Sequence, residues 1–316
     1  MDLSQDQIAE FSANGFLVLP NIISRQSLLL ARVAFWRMYD KCATGSYTRV
    51  RSSIYYPKDI LGIENIFRPE IFEPDLFAAL LQSRVLERSQ QLLGQKNVYV
   101  QLNRLICTVW RSYNGTWHRD LGPHKEYHVQ SALALFPESG FFLIPGSHKI
   151  SDSDLGLDAA EYLKCRASLP GEMRVAVPAG SLMLFHSAVL HRGTCAGTGK
   201  YLRALVHLRI AKLQAASELS RCDVEGFENP QVQKQATAEW RDALNHSQLS
   251  PPTRWVSTPE PAQLIGTRYA LKRAVHSILY HATPVLGSLL PPNYPYRRLF
   301  VPKALHGIYD DQPSAK

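Results

Sequence analysis

The chain has 316 residues, 45% of them hydrophobic and 20% charged, which is enough apolar material for a large buried core and too little charge for a disordered polymer. A formal net charge of +8 and a pI near 9.2 favour anionic partners, but no Lys/Arg run reaches the density of a nucleic-acid-binding patch. No apolar stretch approaches the roughly 20 residues needed to cross a bilayer, so the expected partner is a small-molecule substrate.

The five cysteines, Cys42, Cys107, Cys165, Cys195 and Cys222, include no Cys-x-x-Cys pair and read as reduced thiols. The N-terminus carries Asp2, Asp6 and Glu10 and lacks the charged-then-apolar pattern of a secretion signal, so the expected location is the cytoplasm.

Residues 4–13 predict a helix capped by Ser4, with Gln7 in the capping-box position and Gly15 as a left-handed stop. Phe16–Pro20 follows as a short buried strand, and residues 24–41 as a helix capped by Ser24. Residues 42–70 are broken by Gly45, Pro57, Gly62 and Pro69 and carry no clear period. Residues 74–94 predict one amphipathic helix ending at Gly94. From residue 97 the period changes to 2, and strands are expected at Val98–Trp110, around His118 and Asp120, at Tyr127–Phe136, Phe141–Ile144, Arg174–Val177, Ser181–Phe185 and Tyr201–Ile210. Residues 151–172 read as a polar surface excursion. Short strands with Gly/Pro turns, preceded by helices, predict a mainly β, jelly-roll (cupin-like) core flanked by helices. The expected division is a core over 1–211 and a helical, Pro-rich extension over 212–316, with an amphipathic helix at 264–282.

The chemistry centres on Trp117-His118-Arg119-Asp120. A His and an Asp two apart on an extended segment point the same way, so one imidazole nitrogen and one carboxylate oxygen can reach one metal. A second His would complete the 2-His-1-carboxylate triad of non-haem Fe(II) oxygenases, which leaves positions open for a co-substrate and O2. The segment 180–193 offers His186, at the end of an apolar run, and His191, at the start of a Gly-containing turn, and the local pattern favours His191. Such an enzyme needs a two-electron co-substrate, and a dicarboxylate needs a cation for its far end, a role suited to the guanidinium fork. Arg203 stands in the otherwise apolar run Leu202-Arg203-Ala204-Leu205-Val206, where a buried charge is costly unless paired.

Taken together, these motifs resemble the phytanoyl-CoA dioxygenase family of Fe(II)/2-oxoglutarate-dependent oxygenases. The resemblance runs through most of residues 4–210 and is carried by QIAEFSANGFLVLP, WHRD, PESGFFLIPGSHK, PAGSLMLFHSAVLHRG and RALVHLRI in that order. It implies a double-stranded β-helix, metal ligands at His118, Asp120 and His191, and 2-oxoglutarate bound by Arg203. It also implies Fe(II) as cofactor, 2-oxoglutarate and O2 as co-substrates, and succinate and CO2 as products. In related halogenases a small residue replaces the carboxylate ligand; the presence of Asp120 points instead to hydroxylation, with desaturation, epoxidation or cyclisation as alternatives. Gln101, Asn103 and Ser187 are expected as co-substrate contacts, with surface or ladder-edge amides as the alternative for the first two. The turn Pro137-Glu138-Ser139-Gly140 departs from the more acidic turn of many relatives. Two other readings are a non-catalytic jelly-roll binding protein and a peripheral docking protein acting through 264–282.

Overall fold

The structure is a computed structural model that describes residues 2–44, 46–47, 50–52, 60–109, 115–126, 128–157, 167–194, 202–213 and 228–249. The N-terminal helix α1 (Gln5–Asn14) carries the full capping box between Ser4 and Gln7, and Gly15 closes it at φ 80°. That positive φ is one a β-carbon resists, so the stop is local chemistry and readable from sequence. Strand β1 (Phe16–Leu19) and helix α2 (Arg25–Ala43), capped by Ser24, follow as expected. Residues 42–70 contain two strands that lack an alternating pattern, β2 (Val50–Ser52) and β3 (Ile60–Glu64).

The single helix expected over 74–94 is two, α3 (Pro74–Gln82) and α4 (Val85–Leu93). The break falls at Ser83-Arg84. The Ser83 hydroxyl turns back to donate to Leu80 O, and Arg84 adopts a left-handed φ of 48°. Buried residues flank the break on both sides, so the apolar period runs across it unchanged.

Strands β4 (Val98–Val109), β5 (His128–Ala134), β8 (Leu182–His186) and β10 (Leu202–Lys212) join the first three strands in a seven-stranded sheet of order β1-β8-β5-β10-β4-β3-β2. Strands β6 (Glu138–Leu143), β7 (Met173–Val177) and β9 (His191–Gly193) form a three-stranded sheet of order β7-β6-β9. All named pairings are antiparallel. This is the expected jelly-roll core with helical dressing.

The large sheet has two different faces. Ala204, Val206, Leu208 and Ile210 of β10 join Leu105 and Cys107 of β4 in the main core beneath the helices. Ala132, Ala134, Met183, Phe185 and Leu205 face the small sheet and meet Phe141, Leu143, Val175 and Val177 in a second, smaller cluster. The site lies on this second face. Two further helices, α5 (Pro230–Gln235) and α6 (Ala238–Leu249), pack on the outer one. Trp240 sits edge-on against Phe77 at 5.2 Å, and the Ser247 hydroxyl donates to Val100 O at 2.8 Å. The expected helix at 264–282 lies outside the described residues. Cys42 and Cys107 are free and buried. No helix among the described residues is long and apolar enough to cross a membrane.

The irregular start of β6 depends on Gly140. Its carbonyl accepts from Thr194 N at 2.6 Å, and a β-carbon there would stand 1.4 Å from Thr194 O. Gly140→Ala is therefore expected to destabilise the fold by about 3 kcal/mol or more, read as a lower midpoint in urea denaturation.

Candidate metal centre

The Trp-His-Arg-Asp segment is extended but belongs to no strand. It joins the small sheet by one bridge, His118 to His191, with His118 N donating to His191 O at 2.9 Å and His191 N to His118 O at 3.0 Å. Two more backbone bonds hold the far end: Asp120 N and Leu121 N both donate to Ser187 O, at 3.0 and 3.1 Å. The period-2 geometry survives without a regular ladder, because the chain is tied on both sides of the pair.

Arg119, between the two, points the other way. It bonds Asp152 Oδ1 at 2.9 Å, Ser147 O at 2.6 Å, Ala188 O at 2.5 Å and Ile150 O at 3.2 Å. One guanidinium thus ties His118 and Asp120 to the turns around Ser147 and Ala188. Arg119→Met leaves those carbonyls without their donor in a side-chain site only 4% exposed. The expected cost is about 3–5 kcal/mol of stability, with a weaker metal affinity by about tenfold, measured by denaturant titration and metal titration.

The ligand atoms of His118, Asp120 and His191 all lie within 4.8 Å of one another, with Asp120 Oδ2 3.6 Å from His191 Nε2. His118 Nδ1 lies 3.0 Å from Thr116 O and His191 Nδ1 lies 2.9 Å from Val189 O. Each ring donates its Nδ1 proton to a carbonyl two residues back, so each Nε2 lone pair is left for a metal. Burial pushes His191 down to about 4, with the neighbouring His118 adding to the effect, so its imidazole is neutral at physiological pH. Burial works against the charged form of Asp120, but His191, Arg209, His118 and the Gln130 amide outweigh it and hold the carboxyl well below its usual range. Two imidazole nitrogens and a carboxylate converge, a donor set that fits a divalent ion of the non-haem iron type.

Phe141 and Phe185 pack on the His191 ring at 5.4 and 5.2 Å. Trp117 is fully buried, donates to Ala167 O at 2.9 Å, and lies under the Arg192 guanidinium at 5.0 Å. His186 faces the other way. Met183 and Phe185 of β8 line the cavity, whereas His186 is stacked 4.8 Å from His148, in the layer beside α1. Of the two candidates only His191 joins the cluster.

The three ligand-type residues open on a cavity of about 160 Å³ between the sheets. Arg203 lines it, with Thr108 opposite on β4. Arg203 Nε also meets the buried Glu138 Oε2, while Glu138 Oε1 accepts from Gly140 N. Glu138 was visible only as part of an atypical turn.

Gln101 and Asn103 do not reach the cavity. They lie on the helix side of β4, whereas Arg104, Ile106 and Thr108 face inward. Asn103 Oδ1 accepts from Phe67 N at 3.1 Å, a structural role. Gln101 sits at a bulge, where the register with β10 skips from Leu102 to Val100. Ser187 is fully buried and touches His128 Nδ1, and its carbonyl is what holds Asp120. It therefore supports the ligand segment and is absent from the cavity lining. Two further residues hold the carboxylate and carry no motif in the sequence: Gln130 Nε2 donates to Asp120 Oδ2, and Arg209 Nη2 lies 3.3 Å from Asp120 Oδ1.

The sequence profile of phytanoyl-CoA dioxygenase (PhyH) matches residues 11–203. The chain belongs to the phytanoyl-CoA dioxygenase family. It is thereby a non-haem iron, 2-oxoglutarate-dependent oxygenase. Solved structures share the fold at low identity. EctD from S. alaskensis with bound Fe superposes at a TM-score of 0.53, with 22% identity over 67% of this chain and 78% of EctD. AviO1 from Streptomyces viridochromogenes Tue57 gives 0.52 and 16%, over 66% and 94% of the two chains. HygX from Streptomyces hygroscopicus, solved with nickel and 2-oxoglutarate, gives 0.51 and 16%, over 67% and 88%. No curated relative matches the sequence.

Proposed function

We propose that His118, Asp120 and His191 hold Fe(II), that Arg203 anchors the far carboxylate of 2-oxoglutarate, and that the protein hydroxylates an unactivated C–H bond of a small molecule. The observation that carries this reading is the convergence of the three ligand atoms within 4.8 Å at a cavity that Arg203 also lines. Once bound, the iron centre with 2-oxoglutarate and O2 supplies a two-electron oxidation, the co-substrate leaving as succinate and CO2.

The chain's own residues orient and shield. His118 and His191 are held in one tautomer by their carbonyl partners, and Asp120 in one rotamer by Gln130 and Arg209. Glu138 takes one edge of the Arg203 guanidinium, which orients the fork for a second, co-substrate carboxylate. Phe141, Phe185, Met183 and Leu205 form an apolar wall that keeps water from the reacting C–H bond. Desaturation, epoxidation and ring closure would use the same side chains. They differ in product: hydroxylation adds one oxygen to the substrate, whereas desaturation and ring closure remove two hydrogens.

The test is anaerobic titration with Fe(II) and 2-oxoglutarate, followed by O2-dependent succinate release against a metabolite library, with product mass read in parallel. Binding of both without succinate under any condition would leave a jelly-roll binding protein.

A further inference from the structure

A dicarboxylate co-substrate has two ends to satisfy, and Arg203 answers for only the far one. Gln101, Asn103 and Ser187 do not line the cavity, so the carboxylate beside the metal ligands takes its donor from another part of the wall. Strand β10 sets the position of that donor. Strand side chains alternate, so Arg203, Leu205, His207 and Arg209 follow one another along one face. The first three line the cavity, and Arg209 is in contact with Asp120. A molecule stretched from Arg203 to the three ligand atoms therefore passes Leu205 and ends beside His207.

The other donors at this end are engaged. Gln130 Nε2 is bonded to Asp120 Oδ2, and Arg209 Nη2 meets Asp120 Oδ1 and, at 3.4 Å, Gln130 Oε1. Arg104 donates from Nε to His207 Nδ1 at 3.2 Å and has a further interaction of its own. His207 differs from these. An arginine Nε can only donate, so His207 Nδ1 is the acceptor and the ring proton sits on Nε2. Nε2 is the ring nitrogen farther from the backbone, in a side chain that lines the cavity and is 2% exposed. Among the described residues it has no hydrogen-bond partner. Burial first, then Arg104 and Arg209, hold His207 far below its ordinary range against the pull of Asp120, which agrees with a neutral ring. The Asp120 charge is itself met by Arg209 and Gln130, so the acceptor that suits Nε2 is an oxygen of a bound ligand.

We propose that His207, held in one tautomer by Arg104, donates from Nε2 to the 2-oxoglutarate carboxylate that lies beside the metal ligands, while Arg203 holds the other. This rests on the placement of 2-oxoglutarate between Arg203 and the three ligands. His207 is then a co-substrate-binding residue and Arg104 a positioning residue that acts through it.

The experiment removes one end of the ligand at a time. Protein loaded anaerobically with Mn(II) is titrated by calorimetry with 2-oxoglutarate, with 2-oxopentanoate, which keeps only the carboxylate next to the keto group, and with 4-oxopentanoate, which keeps only the far one. Weak ligands are measured by displacement of 2-oxoglutarate. His207→Asn keeps an acceptor for Arg104 Nε and removes the donor at Nε2, whereas His207→Gln carries an amide N–H toward the Nε2 position. In His207→Asn, 2-oxoglutarate and 2-oxopentanoate are expected to bind about tenfold more weakly and 4-oxopentanoate within about twofold of wild type. In His207→Gln all three are expected within about threefold. A loss below about threefold for the two 2-oxo acids in His207→Asn overturns the proposal. So does an equal loss for all three acids, which would make His207 a packing residue of the wall, and a loss for 4-oxopentanoate alone, which would put the contact at the Arg203 end. His207→Gln as weak as His207→Asn overturns it as well, because a restored donor would then count for nothing. Wild-type protein that binds neither 2-oxo acid overturns the placement of 2-oxoglutarate and this inference with it, a result read without any variant.

Discussion

Replacing His191 by alanine is expected to abolish succinate release and to weaken Fe(II) binding by more than about 100-fold, whereas His186→Ala leaves metal binding unchanged. The two histidines flank one turn and are nearly equivalent as sequence. Their side chains leave the turn on opposite sides of the sheet. His191 is held by the bridge to His118, and its Nε2 stands 3.6 Å from Asp120 Oδ2. His186 follows Phe185, which faces the cavity, so its own side chain goes to the helix side, within 6.4 Å of the Phe11 ring. Loss of His186 removes packing beside α1, an expected cost of about 1–3 kcal/mol in stability. Metal titration and denaturation on both variants separate the roles: a metal defect in His186→Ala would sink the assignment.

Arg203→Met is expected to remove 2-oxoglutarate binding and to destabilise the protein by about 3–5 kcal/mol, because Glu138, at 1% exposure, then loses its guanidinium partner. The two effects have different origins and can be parted. In the double variant Arg203→Met/Glu138→Leu no buried charge is orphaned, so most of the stability is expected to return while 2-oxoglutarate binding stays lost. Glu138→Gln keeps the shape and removes the charge. It is expected to fold and to bind 2-oxoglutarate with an affinity changed by about tenfold or less. Calorimetric titration of 2-oxoglutarate beside denaturation curves for the four proteins checks this. Restored 2-oxoglutarate binding in the double variant would show that Arg203 is a structural partner of Glu138 and nothing more.

Much of the helical dressing was legible because it is set by neighbours in sequence. Ser4 with Gln7, Ser24, and Gly15 at φ 80° act within one turn of the residues they cap. The exception, the break at Ser83-Arg84, left no mark because both halves bury the same apolar stripe. In the strands, alternation identified β4 and β10 but not which face was which. A bulge at Gln101 reverses the parity of β4, so Val98 and Val100 face the helices together with Leu105 and Cys107. Gln101 and Asn103 keep strict alternation with Leu105 and Cys107; what the period could not tell is that this shared face meets the helices and not the cavity.

The same divide runs through the site. A His and an Asp two apart on extended chain must share a side, and a lone arginine in an apolar strand must find an anion; both follow from covalent geometry and desolvation, which act locally. Partnerships between distant segments obey no such rule. Glu138 beside Arg203, Gln130 and Arg209 on Asp120, and Arg104 against His207 are 10 to 103 residues apart. Sheet order and register bring these groups together, and those are settled only when the two sheets close over a common interior.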